Sequence, residues 1–444
     1  MKSTRAYLLL IVCLSVWLLV LGGAPPAVTQ SSPSEASAST QSLALIHYSL
    51  PPDKLQQSYA LYLISGLLYF VTTLWGFLIL YGMLRMKFGA RLRDLAVRAS
   101  RFRVAQATVV MPLFFVVIQV AQLPFDLYQH HISLQYGLSV QNWGSWFGDW
   151  AKNLALILLG GTIAGWGLYA VLGRSPRRWW FYFWLGTIPF VVFVIFVQPV
   201  LIDPLFNKFA PLTGQHADLV AELERVVHRA GMEIPPERMF EMKASEKTTE
   251  LNAYVTGFGS TKRVVVWDTT MEHLTAPQTM FVFGHEMGHY VLGHIPKMLT
   301  ISLLLLLGLY YIGFRLAHWL VERYGEAWGI QELSDWASFP LLFFVFSLLL
   351  FVATPVVNGI SRHYEHQADQ YGLEVVHGLV FDAGRSAAQA FQVLGERSLD
   401  YPYVGKFAEF WLWSHPTIGD RVMYAQTYDP WREGQSPEFV KDGK

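Results

Sequence analysis

The sequence predicts a mainly α-helical protein: a bundle of seven membrane-spanning helices, or of six behind a cleaved signal peptide, with a small water-facing α+β domain. Hydrophobic residues make up 53% of the 444 positions and charged residues only 15%, whereas a soluble protein carries about 25% charged residues. Several apolar stretches reach the roughly 20 residues that a helix needs to cross a bilayer. Short strand-like runs cluster in one polar region between these stretches.

The apolar stretches define the predicted spans. They lie at about 7–23, 59–84, 104–125, 151–173, 179–200, 298–321 and 338–357. Residues 59–200 therefore hold four spans in succession, and residues 298–357 hold the last two.

The N-terminal segment has two interpretations. Residues 1–23 carry Lys2 and Arg5 ahead of an apolar run that ends near two glycines, which fits a cleaved signal peptide and a retained first span about equally well. Residues 24–58 follow as an extramembrane linker, because their first half is rich in Ser, Ala, Thr and Pro.

Two regions of mixed polarity, 201–297 and 358–444, remain for the water-facing domain. The first opens with an amphipathic helix, since apolar residues from Leu219 to Ala230 recur at helical spacing. Three runs with strand character follow, at 238–242, 253–258 and 263–267. The second region reads as helical.

Charge and cysteine content exclude some partners and ligands. The 33 basic and 33 acidic residues cancel, so no global basic field attracts phosphate and we expect no nucleic-acid partner. The bilayer itself is the expected surrounding. Cys13 is the sole cysteine, which rules out thiolate-rich metal sites and leaves His, Asp and Glu as ligands.

The central motif is His285-Glu286-Met287-Gly288-His289. Residues four apart share a helix face, so both imidazoles can bind one zinc ion. Glu286 is then placed to polarise a zinc-bound water and to pass its proton to a leaving amine. A helix that contains these residue types by chance is the alternative, so the motif needs support from its surroundings.

A hydrolytic zinc site needs a third protein ligand and an open fourth position. One known pattern places a third His six residues beyond the second, but Ile295 occupies that position. His294 is one residue short and would face away from His289 on a continuous helix. We expect His294 to make a polar contact near the membrane edge.

A better third ligand lies beyond the last predicted span. Glu365 and Asp369 are four residues apart and share a helix face. Glu365 could complete a set of two His and one carboxylate, and Asp369 could accept the other ring N–H of a ligating His. A solvated acidic face accounts for the pair equally well. His363 and His366 compete as ligands, but neither lies on that face.

With these motifs, the chain resembles the integral-membrane CAAX prenyl endopeptidases, zinc enzymes of the type that processes prenylated yeast a-factor and prelamin A. The likeness runs from about residue 104 to 425. Its motifs are, in order, Leu123-Pro124-Phe125 through Gly137, Asp203 through Phe209, Asn252-Ala253-Tyr254, Lys262 through Thr269, His285 through His289, Ser361 through Asp369, and Ser414-His415-Pro416 with Arg421.

The resemblance implies one Zn²⁺ per chain, held by His285, His289 and Glu365, with Glu286 as the general base. It also implies that Asp369 supports the ligands.

The same resemblance assigns supporting and substrate-binding roles. Arg362 would support the ligands from behind, and His415 would bind the peptide or stabilise the oxyanion. Arg421 matches a residue near the active site. Asn252, Ala253 and Tyr254 would form an edge strand to which the substrate adds.

The sequence departs from that family in its first sixty residues, which show no match, and in its charge pattern. Basic residues concentrate in the loops 85–103 and 174–178, while the loops 24–58 and 126–150 offer only Lys54. By the positive-inside rule the zinc domain is then extracytoplasmic, whereas the family places it in the cytosol. The side of the membrane stays open at this stage.

Together these features predict a membrane-embedded zinc metalloendopeptidase of the CAAX prenyl endopeptidase type, acting on a peptide or membrane-protein substrate that is either prenylated or not. Residues 201–297 and 358–444 form its protease domain. One rival is a quality-control protease resembling HtpX. Another is a non-catalytic membrane scaffold with a structural zinc, against which Glu286 argues because a structural site does not need it.

Overall fold

The computed structural model describes residues 45–214, 216–257, 262–432 and 434–441. The predicted signal peptide or first span at 1–23 and most of the predicted linker at 24–58 lie outside these residues. Six helical segments of the described chain are long and apolar enough to cross a membrane. They are Pro52–Arg85, Arg103–Gln135, Trp143–Arg174, Trp179–Phe206, His294–Trp328 and Trp336–Val376.

The helices are numbered here in chain order. The N-terminal half contains α1 (Pro52–Arg85), α2 (Phe88–Ala99), α3 (Arg103–Gln135), α4 (Trp143–Arg174), α5 (Trp179–Val197), a π-helical turn (Gln198–Ile202) and α6 (Asp203–Phe206). The middle and C-terminal parts contain α7 (Ala217–Arg229), α8 (Asp268–His273), α9 (Ala276–Val291), α10 (His294–Trp328), α11 (Phe339–Val376), α12 (Ala383–Ser398), α13 (Lys406–Leu412) and α14 (Ile418–Thr427).

Helix α11 runs well beyond the predicted end of the last span at residue 357. A run of apolar residues marks only the part of a helix that can lie in the hydrocarbon core of the bilayer. The helix can continue beyond that part, because no proline interrupts residues 358–376. One continuous helix therefore carries both the last apolar segment and Glu365. The helix fixes the position of this residue relative to the bundle.

Helix α9 and the membrane span that follows it are separate helices. The chain leaves α9 after Val291 and turns at Gly293, whose φ of +68° is left-handed. Glycine adopts this conformation without a Cβ clash. Helix α10 then starts at His294, with Pro296 in its first turn, where the missing N–H has no helical partner to lose.

A four-stranded sheet covers one side of the water-facing domain. The strands are β1 (Phe209–Pro211), β2 (Met239–Met242), β3 (Ala253–Thr256) and β4 (Arg263–Trp267). Their spatial order is β1-β2-β4-β3, with β2 parallel to β4 and the outer pairs antiparallel. The three predicted strands are present: β4 has the predicted bounds, β2 is one residue shorter and β3 two residues shorter than predicted, while the three-residue β1 was not predicted.

Close helix packing joins the two halves of the domain. A Cβ on Gly372 of α11 would lie 3.0 Å from the backbone N of His285 in α9, and a Cβ on Gly284 would lie 2.8 Å from Cγ1 of Val375. Glycines at these points let the two backbones approach. The approach brings the His285 face of α9 against the Glu365 face of α11.

Candidate metal centre

His285, His289 and Glu365 meet in one cluster. The two Nε2 atoms of the histidines are 3.2 Å apart. The Glu365 carboxylate lies 3.3 Å from Nε2 of His285 and 3.5 Å from Nε2 of His289. Among the described residues this is the one group of three whose ligand atoms could hold a metal ion.

The spacing fits a tetrahedral zinc ion. Two nitrogens at the usual zinc distance of about 2.05 Å and a tetrahedral angle would be about 3.3 Å apart. Oε2 of Glu365 is buried and has no hydrogen-bond partner among the described residues. A buried carboxylate oxygen that lacks a hydrogen bond and lies beside two imidazoles is a group that a cation between them would satisfy.

Local sequence explains why α9 presents its two histidines together. The helix begins with a capping box, in which Thr275 and Gln278 satisfy each other's backbone N–H. His285 and His289 then lie one turn apart on the same face. His285 is buried and His289 half-buried, so one side of the cluster stays accessible.

Asp369 contacts the ring nitrogen of His285 that faces away from Glu365. Its carboxylate lies 2.8 Å from Nδ1 of His285, and Arg421 donates to it from Nη2 at 2.6 Å and from Nε at 2.9 Å. Burial lowers the pKa of His285, but Asp369 and Glu365 outweigh burial and hold that pKa above its ordinary value. The metal-free imidazole therefore carries a proton that a binding metal must displace.

His294 contacts the Nδ1 atom of His289, as Asp369 contacts the Nδ1 atom of His285. Its Nδ1 lies 3.1 Å from Nδ1 of His289, its Nε2 lies 3.1 Å from Oε1 of Gln367, and its ring stacks on Tyr364. The predicted polar contact thus has a specific partner. Sequence reasoning missed it because the turn at Gly293 redirects the side chain.

Glu286 lines the same cavity as His285, with its Oε1 4.0 Å from Nε2 of that histidine. Burial raises the pKa of Glu286 above its ordinary value, although the two neighbouring imidazoles oppose the shift. A carboxylate at this position can accept a proton from a water bound at the cluster.

His415 approaches the cluster from the C-terminal segment. Its Nε2 lies 3.4 Å from Oε1 of Glu365, and its side chain is 54% exposed and lines the cavity. Nδ1 pairs with Oγ of Ser414 at 3.0 Å. A ring held in this way can offer Nε2–H to a bound peptide.

Within the described residues, the side-chain hydrogen bonds of Arg362, for which a supporting role is expected, go to backbone carbonyls and not to the metal ligands. Its Nη1 donates to the carbonyl of Glu409 at 2.8 Å and to the carbonyl of Trp413. Arg362 therefore anchors the segment that leads to His415, because the guanidinium points along α11 toward α13. The competing ligand His366 is also off the cluster and packs on Tyr424.

Of the three predicted substrate-binding residues at 252–254, Asn252 lines the cavity of the site, Ala253 is buried in the core, and Tyr254 lines a separate cavity. Ala253 and Tyr254 start β3, which is one of the two edge strands of the sheet in the described part of the chain. The backbone N of Asn252 donates to Thr270 at 2.8 Å, and Asn252 lines the cavity that holds Glu286. This cavity measures about 350 Å³ and also reaches Arg421 and His415.

The fold and the site define a class: a multi-pass integral-membrane protein whose polar domain holds a metalloprotease-type centre. The family models agree with this. Residues 214–429 match peptidase family M48, and residues 39–208 match the N-terminal domain of CAAX prenyl proteases, described as five membrane helices.

The chain belongs to this family of membrane metalloproteases. It is 35% identical over 340 residues to a Bacillus subtilis protein called uncharacterized metalloprotease YhfN, covering 77% of this chain and 76% of that one. CAAX prenyl protease 1 of Saccharomyces cerevisiae is 26% identical over 343 residues, covering 72% of each chain. The crystal structure of S. mikatae Ste24p shares the fold, with a TM-score of 0.74 at 21% identity over 94% of this chain and 96% of that one.

These comparisons confirm the predicted family, the helical fold and the multi-pass membrane location. They favour the CAAX prenyl protease family over both rivals, the HtpX-like protease and the non-catalytic scaffold. The enzyme is a metalloprotease that acts on peptide or protein substrates at a membrane.

Proposed function

We propose that this chain is a zinc metalloendopeptidase that cleaves membrane-associated proteins with CAAX-type specificity. The observation that carries the proposal is the cluster of His285, His289 and Glu365 with the Glu286 carboxylate beside it. Two imidazoles and one carboxylate leave a fourth position open, which is the donor set of a catalytic zinc site. Calcium and magnesium prefer all-oxygen sites.

One Zn²⁺ per chain would be held by these three side chains. When bound there, zinc lowers the pKa of its water and polarises the carbonyl of the scissile peptide bond. Glu286 takes the proton from the attacking water and delivers it to the leaving amine nitrogen. Its raised pKa suits both steps, because a base with a pKa closer to neutral also serves as an acid.

The surrounding residues position the ligands and the substrate. Asp369 and His294 each engage the Nδ1 of one ligating histidine, which points both Nε2 atoms at the metal position. His415 donates from Nε2 to the carbonyl oxygen as negative charge develops on it. Without an outer neighbour in the described chain, β3 can accept a substrate strand along Ala253 and the residues after it, next to Asn252, whose own backbone N–H and carbonyl bind Thr270 and Trp267.

CAAX-type specificity is supported by the relatives named CAAX prenyl protease and by the position of the site. Glu365 lies on the helix that carries the last apolar span. A substrate that is anchored in the bilayer by a lipid would present its peptide near this height. The proposed substrate is therefore a prenylated peptide cut close to its lipid.

A paired peptide assay tests this proposal. The purified protein in detergent is incubated with a farnesylated CAAX peptide and with the same peptide lacking the lipid, alongside Glu286→Gln and a chelator-treated sample. Mass spectrometry locates the cuts. We expect zinc- and Glu286-dependent cleavage that favours the farnesylated peptide. Equal cleavage of both peptides would overturn the prenyl specificity, and cleavage that survives Glu286→Gln would overturn the mechanism.

A further inference from the structure

A second cavity, separate from the one at the metal centre, lies between two membrane spans and the edge strand β3. It measures about 560 Å³, within the range of roughly 300–1,000 Å³ that is usual for small-ligand sites. Ile195 near the end of α5 and Ile295 at the start of α10 line it from the spans. Tyr254, Val255 and Thr256 line it from β3. The cavity therefore joins the ends of two membrane helices to the edge along which a substrate strand would add.

The lining of this cavity suits an uncharged, apolar group. Trp267 of β4 adds a large aromatic ring to the apolar side chains from the spans and from β3. The described lining contains two charged residues, and each of them is already paired. The carboxylate of Asp203 lies 3.6 Å from the guanidinium of Arg263. The ammonium of Lys247 lies 2.6 Å from the carboxylate of Asp149. No charge is left for a ligand to compensate, so burial of apolar surface decides what binds.

The segment that carries Ile195 offers an apolar path from the bilayer. Its span, Trp179–Phe206, is the least buried of the six described spans. Phe196 and Val200, which follow Ile195 on the same segment, are 51% and 67% exposed. A π-helical turn at Gln198–Ile202 interrupts the α-helix here, and such turns are frequent at functional sites. A hydrocarbon chain can therefore pass from the lipid into the cavity without leaving apolar surface.

The two cavities lie along β3 at a separation that one lipidated residue can span. Asn252 lines the cavity at the metal centre, and Thr256 lines the second cavity four residues further on. Four residues of an extended strand cover about 13 Å. A farnesyl chain has about twelve carbons in its main chain, and with bonds of about 1.5 Å it is long enough for this distance. In antiparallel addition to β3, the residues before the cut run from Thr256 toward Asn252.

We propose that the second cavity is the subsite for the isoprenoid chain of the substrate, with Ile195, Val255 and Ile295 as its main contacts. This inference rests on the proposed function and deepens it, because it assigns the lipid and the released peptide to different parts of the protein. The isoprenoid occupies the second cavity, the lipidated residue adds to β3, and the residues after the cut lie in the cavity at the metal centre. The three contact residues determine specificity and take no part in the chemistry.

Photo-crosslinking locates the isoprenoid directly. Zinc-loaded Glu286→Gln is mixed with a CAAX peptide whose farnesyl chain carries a diazirine at its far end. After illumination and digestion, mass spectrometry identifies the labelled residues. We expect adducts within 195–199, 254–257 or at Ile295, and we expect excess unlabelled farnesylated peptide to suppress them. Adducts confined to another site, such as the cavity between α1, α3 and α11, would overturn the proposal.

Substrate preference gives a second test. The ratio of kcat/KM for a farnesylated peptide to that for its unlipidated counterpart is measured in wild type, Ile195→Trp and Ile195→Leu. The indole fills part of the cavity, so the ratio should fall about tenfold in Ile195→Trp, as the loss of about two buried methylene groups would cause. Ile195→Leu preserves the volume and should keep the ratio. Ile163→Trp, at a residue of α4 that is 54% exposed, should keep it as well.

The outcomes separate the subsite from the proposed function. A ratio in Ile195→Trp equal to that of wild type would overturn the subsite while leaving the CAAX-type specificity in place. Equal cleavage of both peptides by wild type would contradict that specificity, and the position of the photo-adducts would then decide alone whether the cavity binds the lipid.

Discussion

The carboxylate of Asp369 lies 2.8 Å from Nδ1 of His285, on the side of the ring opposite the nitrogen that faces Glu365. Asp369 is 1% exposed and is held in turn by Arg421 through two donors. This chain fixes the tautomer of His285 and directs its Nε2 lone pair toward the metal position. The geometry of the cluster is therefore set from α11 and α14 as well as from α9.

Replacing Asp369 by Asn should weaken metal binding. The amide can still accept one hydrogen bond, but it carries no charge and leaves Arg421 without its partner. We expect zinc affinity to fall about 10- to 100-fold, measured by competition with a chromogenic chelator. Asp218→Asn should bind zinc like the wild type. Unchanged affinity in Asp369→Asn would show that the carboxylate does not orient the ligand.

Replacing His415 by Ala should slow catalysis and leave the metal in place. If Nε2–H stabilises the oxyanion, its loss should lower kcat by about 10²- to 10³-fold with little change in KM. Steady-state kinetics and the zinc content of the purified variant measure these two effects. His228→Ala, at an exposed histidine of α7, is the matched control. A drop in zinc content would point to a role in metal binding instead.

Much of this molecule follows from sequence patterns. The six spans within the described residues were found from their apolar length, and three of the four strands from their β-branched and aromatic runs. A spacing of four residues placed His285 and His289 on one helix face, which is a local property of a helix. The choice of Glu365 as the third ligand came from the resemblance to the CAAX prenyl endopeptidases and stays a prediction, for which the three side chains lie close enough to hold a metal ion. The strand β1 was missed because three residues, one of them a proline, carry too little pattern.

Contacts between distant segments were harder to predict. The contact of His294 with His289 depends on the left-handed turn at Gly293, which separates α9 from α10. The contact of Arg362 depends on where α13 packs. Such contacts are set by tertiary packing between segments that are distant in the chain. The residue spacing and composition of one segment do not determine them.

Replacing Gly372 by Ala should separate α9 from α11. The added methyl would lie 3.0 Å from the backbone N of His285, so the helices must shift. Overpacking of this kind costs about 1–3 kcal/mol, and we expect a lower Tm together with weaker zinc binding. Gly359→Ala, on the same helix with only the guanidinium of Arg362 at 3.8 Å, should change neither. A Tm equal to that of wild type would contradict the close packing.

Replacing Glu374 by Gln should loosen the C-terminal tail. This fully buried carboxylate accepts from the backbone N–H groups of Glu438, Phe439 and Val440 at 2.7–3.0 Å. An amide can offer only one oxygen, so at least one donor loses its partner, at about 1–3 kcal/mol.

Thermal unfolding and limited proteolysis measure this change. We expect a lower Tm and new cleavage sites near the C-terminus in Glu374→Gln. Glu272→Gln, whose side chain is 69% exposed, should resemble the wild type. Full protection of the tail in Glu374→Gln would show that other contacts hold it.

The most direct test of the central claim is to measure zinc content and peptide cleavage together in wild type and Glu286→Gln. We expect one zinc per chain in both proteins, removed in both by a chelator, and a fall in cleavage of about 10²-fold or more in the variant, because only the proton-transferring group is lost. A Glu286→Gln variant that binds zinc and cleaves at the wild-type rate would contradict the assignment of this cluster as the catalytic centre.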